Sequence, residues 1–176
     1  MLILLTGLPG TGKSSLANAL ASVMHADVLN RDTIRDAIFP AHDLDYSSAQ
    51  NELASQVTYR VAEYILGRDP QRVLILDGRP FSRRVQVEEV VSLARRAGHP
   101  LQVIHCWAPD AVVEQRLEAD LQNVKNLAAG RTSEKYWRIK DAFEPLEMQH
   151  LSLNTEESVE QLVNQVLAYL ASHHAR

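Results

Sequence analysis

An eight-residue segment near the amino terminus constrains the fold of this chain more than any other feature. Gly7-Leu8-Pro9-Gly10-Thr11-Gly12-Lys13-Ser14 follows the apolar run Leu2–Thr6 and opens a stretch, Ser14–Met24, whose apolar residues have helical spacing. A continuous apolar run predicts a strand that is buried on both faces. The pattern G-x-x-x-x-G-K-S/T between such a strand and a helix predicts a P-loop, whose backbone amides cradle phosphate groups.

The residue types in this loop indicate its chemistry. Glycines let successive N–H groups approach phosphate oxygens because no Cβ intervenes, and the helix N-terminus adds partial positive charge. We expect Lys13 to reach the β- and γ-phosphates of ATP and to act in catalysis, and Ser14 to offer its hydroxyl to Mg²⁺. The nucleotide site is therefore predicted to comprise Gly7 to Ser14 and the next residue, Ser15.

The rest of the chain alternates between strand and helix patterns. Further strands are predicted at Ala26–Leu29, Arg72–Leu76, Leu101–Trp107 and His150–Leu153. Helices are predicted at Arg31–Phe39, Ser47–Leu66, Ser82–Ala97, from Pro109 onward, at Thr132–Phe143 and at Thr155–Ser172, and the apolar stripe of the longest comprises Leu53, Val57, Val61, Tyr64 and Ile65. This alternation predicts an α/β fold with a five-stranded parallel sheet and helices on both faces. With 176 residues and no repeat or change in composition, residues 1–176 are expected to form one domain.

The overall composition limits the classes of partner and of location. The net charge is −4 and the pI is about 6.0, which favours neither a nucleic acid nor an anionic membrane as partner. The single cysteine, Cys106, excludes an intrachain disulfide and a cysteine-rich zinc site, and its apolar neighbours predict that it is buried. The apolar amino-terminal run is too short for a signal peptide or a membrane span, so we expect a cytoplasmic protein.

Two charged residues follow the second predicted strand. Asp32 and Arg35 are three residues apart, so they share one face of a helix. The carboxyl ends of parallel strands meet at one edge of a sheet, which places this pair beside the P-loop. A carboxylate there can accept the proton of a hydroxyl that attacks the γ-phosphate, and the arginine can hold the acceptor or brace the carboxylate. The alternative is a helix N-cap with an ordinary surface ion pair.

The P-loop and the segment Asn30–Arg35 together resemble the polynucleotide 5′-hydroxyl kinase domain and its relatives, which include zeta-toxin-like and chloramphenicol phosphotransferase-like kinases. Weaker similarity extends through Leu74–Asp77, Ala108–Asp110 with Arg116, and Arg131–Pro145. The resemblance implies a nucleotide-kinase-like P-loop fold with strand order 2-3-1-4-5. It also implies that Asp32 is the general base and that Arg35 contacts the acceptor.

Two further residues follow the third predicted strand. Asp77 ends that strand, where a P-loop protein can place a carboxylate near Mg²⁺, and it is assigned to the metal site with Ser14. Contact with the acceptor and a simple turn at Asp77-Gly78 are the alternatives. Arg79 lies in the next loop, where it either contacts the acceptor or phosphate or belongs to a solvated surface.

Kinases of this shape often close a lid that excludes water from the γ-phosphate. The segment at about residues 118–135 is polar and contains glycine, which predicts such a lid. The resembling families carry two arginines about four residues apart on the helix after strand four. Arg116 matches the first and is assigned to the nucleotide, but Asp120 stands at the second position. Arg131, also assigned to the nucleotide, or Lys125 takes that role, or the lid works differently.

The motifs predict an ATP-dependent kinase that phosphorylates a hydroxyl of a small-molecule or nucleoside-like acceptor. An RNA or polynucleotide 5′-hydroxyl kinase is the second hypothesis, favoured by the resemblance and disfavoured by the net acidity. A regulatory switch that binds ATP and acts through a protein partner is the third. The segments 39–46 and 81–84 are expected to shape the acceptor pocket.

Overall fold

A computed structural model describes residues 1–122 and 132–173 of the chain. In chain order the elements are β1 (Leu2–Thr6), α1 (Lys13–Met24), β2 (Asp27–Asn30), α2 (Arg31–Ile38), a 3₁₀ turn (Ala41–Asp43), α3 (Ser48–Arg68), β3 (Leu74–Asp77), α4 (Arg84–Ala97), β4 (Leu101–Trp107), α5 (Asp110–Gln122), α6 (Ser133–Asp141), β5 (Leu151–Asn154) and α7 (Val159–His173). This order repeats the strand–helix alternation that the sequence predicts.

The five strands form one parallel sheet in the order β2-β3-β1-β4-β5. The register aligns Leu4 of β1 with Leu76 of β3 and with Val103 of β4. β1 is therefore central, and its residues Leu2–Thr6 are all buried. The predicted strand order 2-3-1-4-5 is confirmed, and it brings the carboxyl ends of β1, β2 and β3 to one edge of the sheet.

Helices cover both faces of this sheet. Alternate residues of β1 point to opposite sides, so Ile3 and Leu5 pack in one apolar layer with α1 and α7, while Leu2 and Leu4 pack in the other with α3 and α4. Cys106 of β4 is fully buried, as predicted, and burial raises the pKa of its thiol to about 12. Among the described residues, no helix combines the length and apolarity needed to cross a membrane.

The buried face of α3 differs from the predicted one. Leu53, Val61 and Tyr64 are exposed, whereas the residues packed inward are Ala54, Ser55, Thr58, Ala62 and Leu66. The hydroxyl of Ser55 donates to the carbonyl of Asn51, and Thr58 donates in the same way to Ala54. These bonds satisfy the buried hydroxyl groups within the helix, so small polar residues can lie where α3 packs against its neighbours.

Other boundaries shift by a few residues. β3 begins at Leu74 because Arg72 closes a turn by donating its N–H to the carbonyl of Asp69. The polar segment predicted to begin the lid at residue 118 is helical as far as Gln122, because α5 continues through it. Residues 123–131 of the predicted lid, with Lys125 and Arg131, lie outside the described residues, and residues 132–135 form the N-cap and first turn of α6.

His105 lies on β4 in an unusual environment for a histidine. Its ring stands 5.8 Å from the ring of Phe143 and 6.0 Å from that of His150, in the segment between α6 and β5. Burial, followed by the nearby His150 and Lys13, lowers the pKa of His105 from 6.5 to about 4. The imidazole is therefore neutral in the folded protein throughout the physiological range.

This environment predicts an acid-sensitive fold. Below pH 6.5, the pKa of His105 in the unfolded chain, the unfolded chain binds a proton at this residue. The folded chain binds that proton only below about pH 4, the pKa of His105 in the fold. The free energy of unfolding should therefore fall across that window, by about 1–2 kcal/mol after allowance for partial solvent exposure. The free energy of unfolding, measured with urea between about pH 7 and pH 4, should fall less steeply for His105→Gln than for wild type. His42→Gln, whose side chain is 83% exposed, should decline like wild type; equal declines for all three proteins would contradict the prediction.

Candidate functional site

The P-loop begins where β1 ends, and two of its glycines are sterically required. Gly7 has φ +136°, and a Cβ there would stand 2.1 Å from the carbonyl oxygen of Cys106. Gly10 has φ +77°, and a Cβ there would meet the side chains of Val113 and Leu117 on α5 at 2.9 and 3.2 Å. The loop is therefore pressed between β4 and α5, which fixes its path around the first turn of α1.

The N-terminus of α1 has the features of an anion-binding site. Its N-cap, Gly12, provides no side-chain hydrogen bond, and the first turn contains no acidic residue. The amides of this turn and the helix dipole therefore attract negative charge from outside the helix. The Nζ of Lys13 and the hydroxyl of Thr11 each donate to the carbonyl of Leu8 at 2.7 Å. These two bonds close the loop on itself and hold the ammonium group beside the uncapped amides.

An open pocket of about 1020 Å³ lies at the carboxyl edge of the sheet, above this loop. Its size is at the upper end of ordinary ligand pockets. Among the residues predicted from the sequence, those lining it are Pro9, Gly10, Gly12, Lys13, Ser14, Ser15, Asp32, Arg35, Asp77, Arg79 and Arg116. Gly7, Leu8 and Thr11 belong to the loop itself but do not line the pocket. Arg131 is outside the described residues.

Asp32 faces the same pocket as Lys13. It lies in the first turn of α2, whose N-cap is Asn30, so Asp32 is not the cap that the alternative interpretation required. Its Oδ1 accepts a hydrogen bond from Arg35 at 3.0 Å and forms an ion pair with Arg31 at 2.8 Å. The side chain is 18% exposed. Two guanidinium groups thus fix a carboxylate that remains open to the pocket.

Arg35 is almost fully buried, with a relative exposure of 4%. Besides Asp32, its guanidinium donates to Asp36 and to the amide oxygen of Asn51, both at 3.0 Å, and lies 4.4 Å above the centre of the Tyr46 ring. An exposed surface pair does not have such partners. Arg35 is a rigid support that joins α2 to the start of α3, and it presents one edge to the pocket.

Asp77, at the end of β3, is 2% exposed. Its Oδ2 accepts a hydrogen bond of 2.7 Å from Asn30, whereas its Oδ1 is buried without a hydrogen-bond partner among the described residues. A buried carboxylate oxygen of this kind requires a cation or a bound water. Asp77 and Ser14 line one pocket and both provide hard oxygen atoms, so their chemistry fits hydrated Mg²⁺.

Arg116 of α5 lines the pocket beside the P-loop and the loop after β5. Its guanidinium donates to the hydroxyl of Thr155 at 3.1 Å and to the carbonyl of Thr155 at 2.7 Å, with a longer contact of 3.5 Å to the carbonyl of Gly10. The helix predicted to begin at Thr155 begins only at Val159, and the Thr155 hydroxyl donates to the carbonyl of Trp107. Arg116 therefore links the P-loop to the loop after β5.

Removal of this link should weaken nucleotide binding. In Arg116→Ala, three contacts that hold the two loops together are lost, and we expect the Kd for ATP to rise about tenfold, the value of one charge-assisted hydrogen bond. Calorimetric titration with ATP measures the change, and a melting curve checks that the fold persists. Arg60→Ala, on the exposed face of α3, is the control. An unchanged Kd for Arg116→Ala would exclude this arginine from the nucleotide site.

Arg79 also lines the pocket, but its side chain is held by residues of α3 and α4. It donates to the hydroxyl of Tyr59 and to Glu52, each at 3.1 Å, and lies 3.8 Å from Glu89. Burial raises the pKa of Tyr59, and the nearby Arg79 opposes that effect. The guanidinium therefore holds α3 and α4 together behind the pocket. Direct contact of Arg79 with acceptor or phosphate stays a prediction.

Sequence reasoning missed two cations on α6. Lys135 and Arg138 line the pocket and are three residues apart, so they share a helix face. Burial lowers the pKa of Lys135, Asp32 raises it, and the nearby arginines Arg31, Arg35 and Arg138 lower it further. Helical spacing of the two cations was visible in the sequence, but nothing local indicated that this face turns toward α2.

The sequence was compared with protein families and with curated proteins. A sequence family described as an AAA domain matches residues 2–146. No curated protein matches the chain significantly.

Solved structures share the fold at low identity. The APS kinase CysC of Mycobacterium tuberculosis, in complex with AMPPNP and APS, has a TM-score of 0.71 and 21% identity, with 97% of this chain and 96% of that chain covered. A gluconokinase from Sinorhizobium meliloti 1021 has a TM-score of 0.65 and 15% identity, covering 97% and 91%. Kti12 of Chaetomium thermophilum, in complex with ADP-AlF3, has a TM-score of 0.67 and 16% identity, covering 96% and 98%.

These likenesses support the P-loop α/β fold with strand order 2-3-1-4-5. They extend over nearly the whole length of each chain, so the shared architecture includes the helices as well as the sheet. The finer resemblance to polynucleotide 5′-hydroxyl kinases stays a prediction.

Proposed function

Because the chain belongs to the AAA-domain family, whose match spans residues 2–146, we propose that it binds ATP at its P-loop and transfers the γ-phosphate to a hydroxyl of a small-molecule acceptor. The observation that carries this proposal is the position of Asp32, which lines the same pocket as Lys13 and the uncapped N-terminus of α1. A carboxylate is needed there if the acceptor is an alcohol, because the attacking hydroxyl must lose a proton.

Each residue has a proposed part in the transfer. The amides of the P-loop and Lys13 bind the β- and γ-phosphates, while Arg116 holds the loop after β5 against the nucleotide. Asp32, oriented by its guanidinium partners, accepts the acceptor's hydroxyl proton. Ser14 and Asp77 are the residues that would hold Mg²⁺, which would supply charge neutralisation at the phosphates when bound. Positioning and electrostatic stabilisation supply most of the rate enhancement.

The structural neighbours support a small-molecule acceptor. The M. tuberculosis neighbour is described as an APS kinase and the S. meliloti neighbour as a gluconokinase, so two proteins with this architecture are kinases named for small molecules. The pocket of about 1020 Å³ has room for a nucleotide and a second compound of modest size. The net charge of −4 disfavours a long polyanionic strand as the acceptor.

A screen of alcohols tests the proposal. Purified protein with Mg²⁺ and γ-labelled ATP is incubated with sugars, sugar acids, nucleosides, nucleotides and 5′-hydroxyl oligonucleotides, and labelled products are separated. At least one small alcohol should be labelled faster than water is, and Lys13→Met should abolish that labelling, which excludes a contaminating kinase. ATP binding without transfer to any alcohol would contradict the proposal and favour a switch, and labelling of oligonucleotide ends alone would favour the polynucleotide kinase hypothesis.

A further inference from the structure

The charges around Asp32 do not balance. Four cationic side chains line the pocket together with Asp32, namely Arg31 and Arg35 on α2 and Lys135 and Arg138 on α6. Among residues 1–122 and 132–173, the carboxylates that form ion pairs with these cations are Asp32 itself and Asp36, which neighbours Arg35. The chain as a whole is acidic, with a net charge of −4, so this excess of positive charge is local and lies inside a pocket.

Arg31 is a buried cation with an unsatisfied nitrogen atom. Its Nη2 donates to the carbonyl of Gly78 at 2.6 Å and forms an ion pair with Asp32 at 2.8 Å, but its buried Nε has no hydrogen-bond partner among the described residues. Burial lowers the pKa of this guanidinium, opposed by Asp32 and reinforced by Arg35 and Arg79. A desolvated cation among other cations is costly unless an anion joins it.

The two cations of α6 are held toward the pocket by contacts on another side of the helix. Tyr136 donates its hydroxyl to Asp110 at 2.5 Å, and Lys140 pairs with the same carboxylate. These bonds anchor α6 to the start of α5. In the part of the chain that the structure describes, Lys140 thus has a carboxylate partner, whereas Lys135 and Arg138 form no salt bridge. Their charges are available to a molecule in the pocket.

The nucleotide's phosphates have their own binding groups, namely the uncapped amides of α1 and Lys13. Lys135 lines the same pocket as Asp32, Arg31 and Arg35, and the charges of those three residues act on it. We infer that Arg31, Lys135 and Arg138 form an oxyanion subsite for the acceptor. The alcohol that this protein phosphorylates then carries a phosphate, sulfate or carboxylate group, bound while Asp32 receives the hydroxyl proton. This inference rests on the proposed function.

Direct binding of an inorganic anion tests the subsite without any acceptor. The protein is first saturated with Mg²⁺ and AMPPNP, so that the P-loop is filled, and is then titrated with sulfate in a calorimeter. Wild type should bind sulfate saturably, and the double variant Lys135→Gln/Arg138→Gln should bind it at least tenfold more weakly, because each lost charge-assisted bond is worth about that factor. Arg60→Gln, whose side chain is 85% exposed on α3, should match wild type.

Two outcomes overturn the inference: wild type in the AMPPNP complex binds no sulfate, or the double variant binds it as tightly as wild type does. The comparison is between variants of one protein, so it decides the matter even if no alcohol is phosphorylated. Failure of the subsite is thus distinguished from failure of the proposed kinase activity.

Matched acceptor pairs provide the second measurement. Gluconate is compared with glucitol, glycerol 3-phosphate with glycerol, and adenosine 3′-phosphate with adenosine, which separates the carboxylate and phosphate sources of charge. For any pair that is phosphorylated, kcat/KM should be at least tenfold higher for the anionic member. The double variant should raise KM for that acceptor while KM for ATP stays within about twofold. Equal use of both members, or a loss confined to KM for ATP, overturns the inference.

Discussion

Replacement of Asp32 by Asn is expected to lower the rate of phosphate transfer by about 10²- to 10⁴-fold, the range for loss of a general base. The asparagine keeps an oxygen that can accept hydrogen bonds from Arg31 and Arg35, but it cannot take a proton from the acceptor. ATP binding should persist, because the P-loop and Lys13 are unchanged. Transfer is measured with the alcohol identified by the screen, and ATP affinity by calorimetry.

A neighbouring carboxylate provides a closely matched control. Asp36 also accepts a hydrogen bond from Arg35, at 3.0 Å, and its side chain is 13% exposed compared with 18% for Asp32. It is not among the residues that line the pocket. Asp36→Asn therefore removes a comparable charge from the same arginine, and it should reduce transfer less than tenfold. If the two variants lose activity equally, Asp32 acts by supporting Arg35 rather than by accepting a proton.

The parts of the site that depend on local sequence could be predicted. The P-loop is defined by residues adjacent in the chain, so its pattern could be read from the sequence without knowledge of the β4 and α5 atoms that press on Gly7 and Gly10. The proximity of Asp32 and Asp77 to this loop followed from one topological rule, that parallel strands end at a common edge. The observed pairing of β2 with β3 and of β3 with β1 is what brings both carboxylates to the pocket.

The site residues and buried faces that depend on packing between distant segments could not be predicted from local sequence. Lys135 is more than a hundred residues from Asp32 in sequence, and its orientation depends on the anchoring of α6 to Asp110. The inward face of α3 was missed for a related reason. Hydrophobic periodicity assumes that large apolar residues face the core, whereas Ser55 and Thr58 are buried there because their hydroxyl groups bond to the helix backbone.

Substitution of Gly7 by alanine should have the largest effect on the fold itself. The new Cβ would lie 2.1 Å from the carbonyl oxygen of Cys106, a backbone atom of a central strand that cannot move aside. The φ of +136° is also one that side-chain-bearing residues rarely adopt. Strain of this kind costs about 1–3 kcal/mol, and the steric overlap adds to it. We expect a loss of about 3–4 kcal/mol in the free energy of unfolding, measured by urea denaturation.

The same change should remove the stabilisation that a nucleotide provides. Gly7 donates its N–H to the carbonyl of Pro80 at 3.0 Å, so displacement of this residue moves the start of the P-loop away from the loop that follows β3. The loop amides then no longer converge on the phosphates, and ATP should raise the melting temperature of wild type but not of Gly7→Ala.

Gly67→Ala is the matched control. Gly67 lies inside α3 with nothing within 4 Å of the added Cβ, so this variant should be as stable as wild type or more stable by up to about 1 kcal/mol. If Gly7→Ala is as stable as Gly67→Ala and still responds to ATP, the loop does not have the backbone path on which the phosphate site depends.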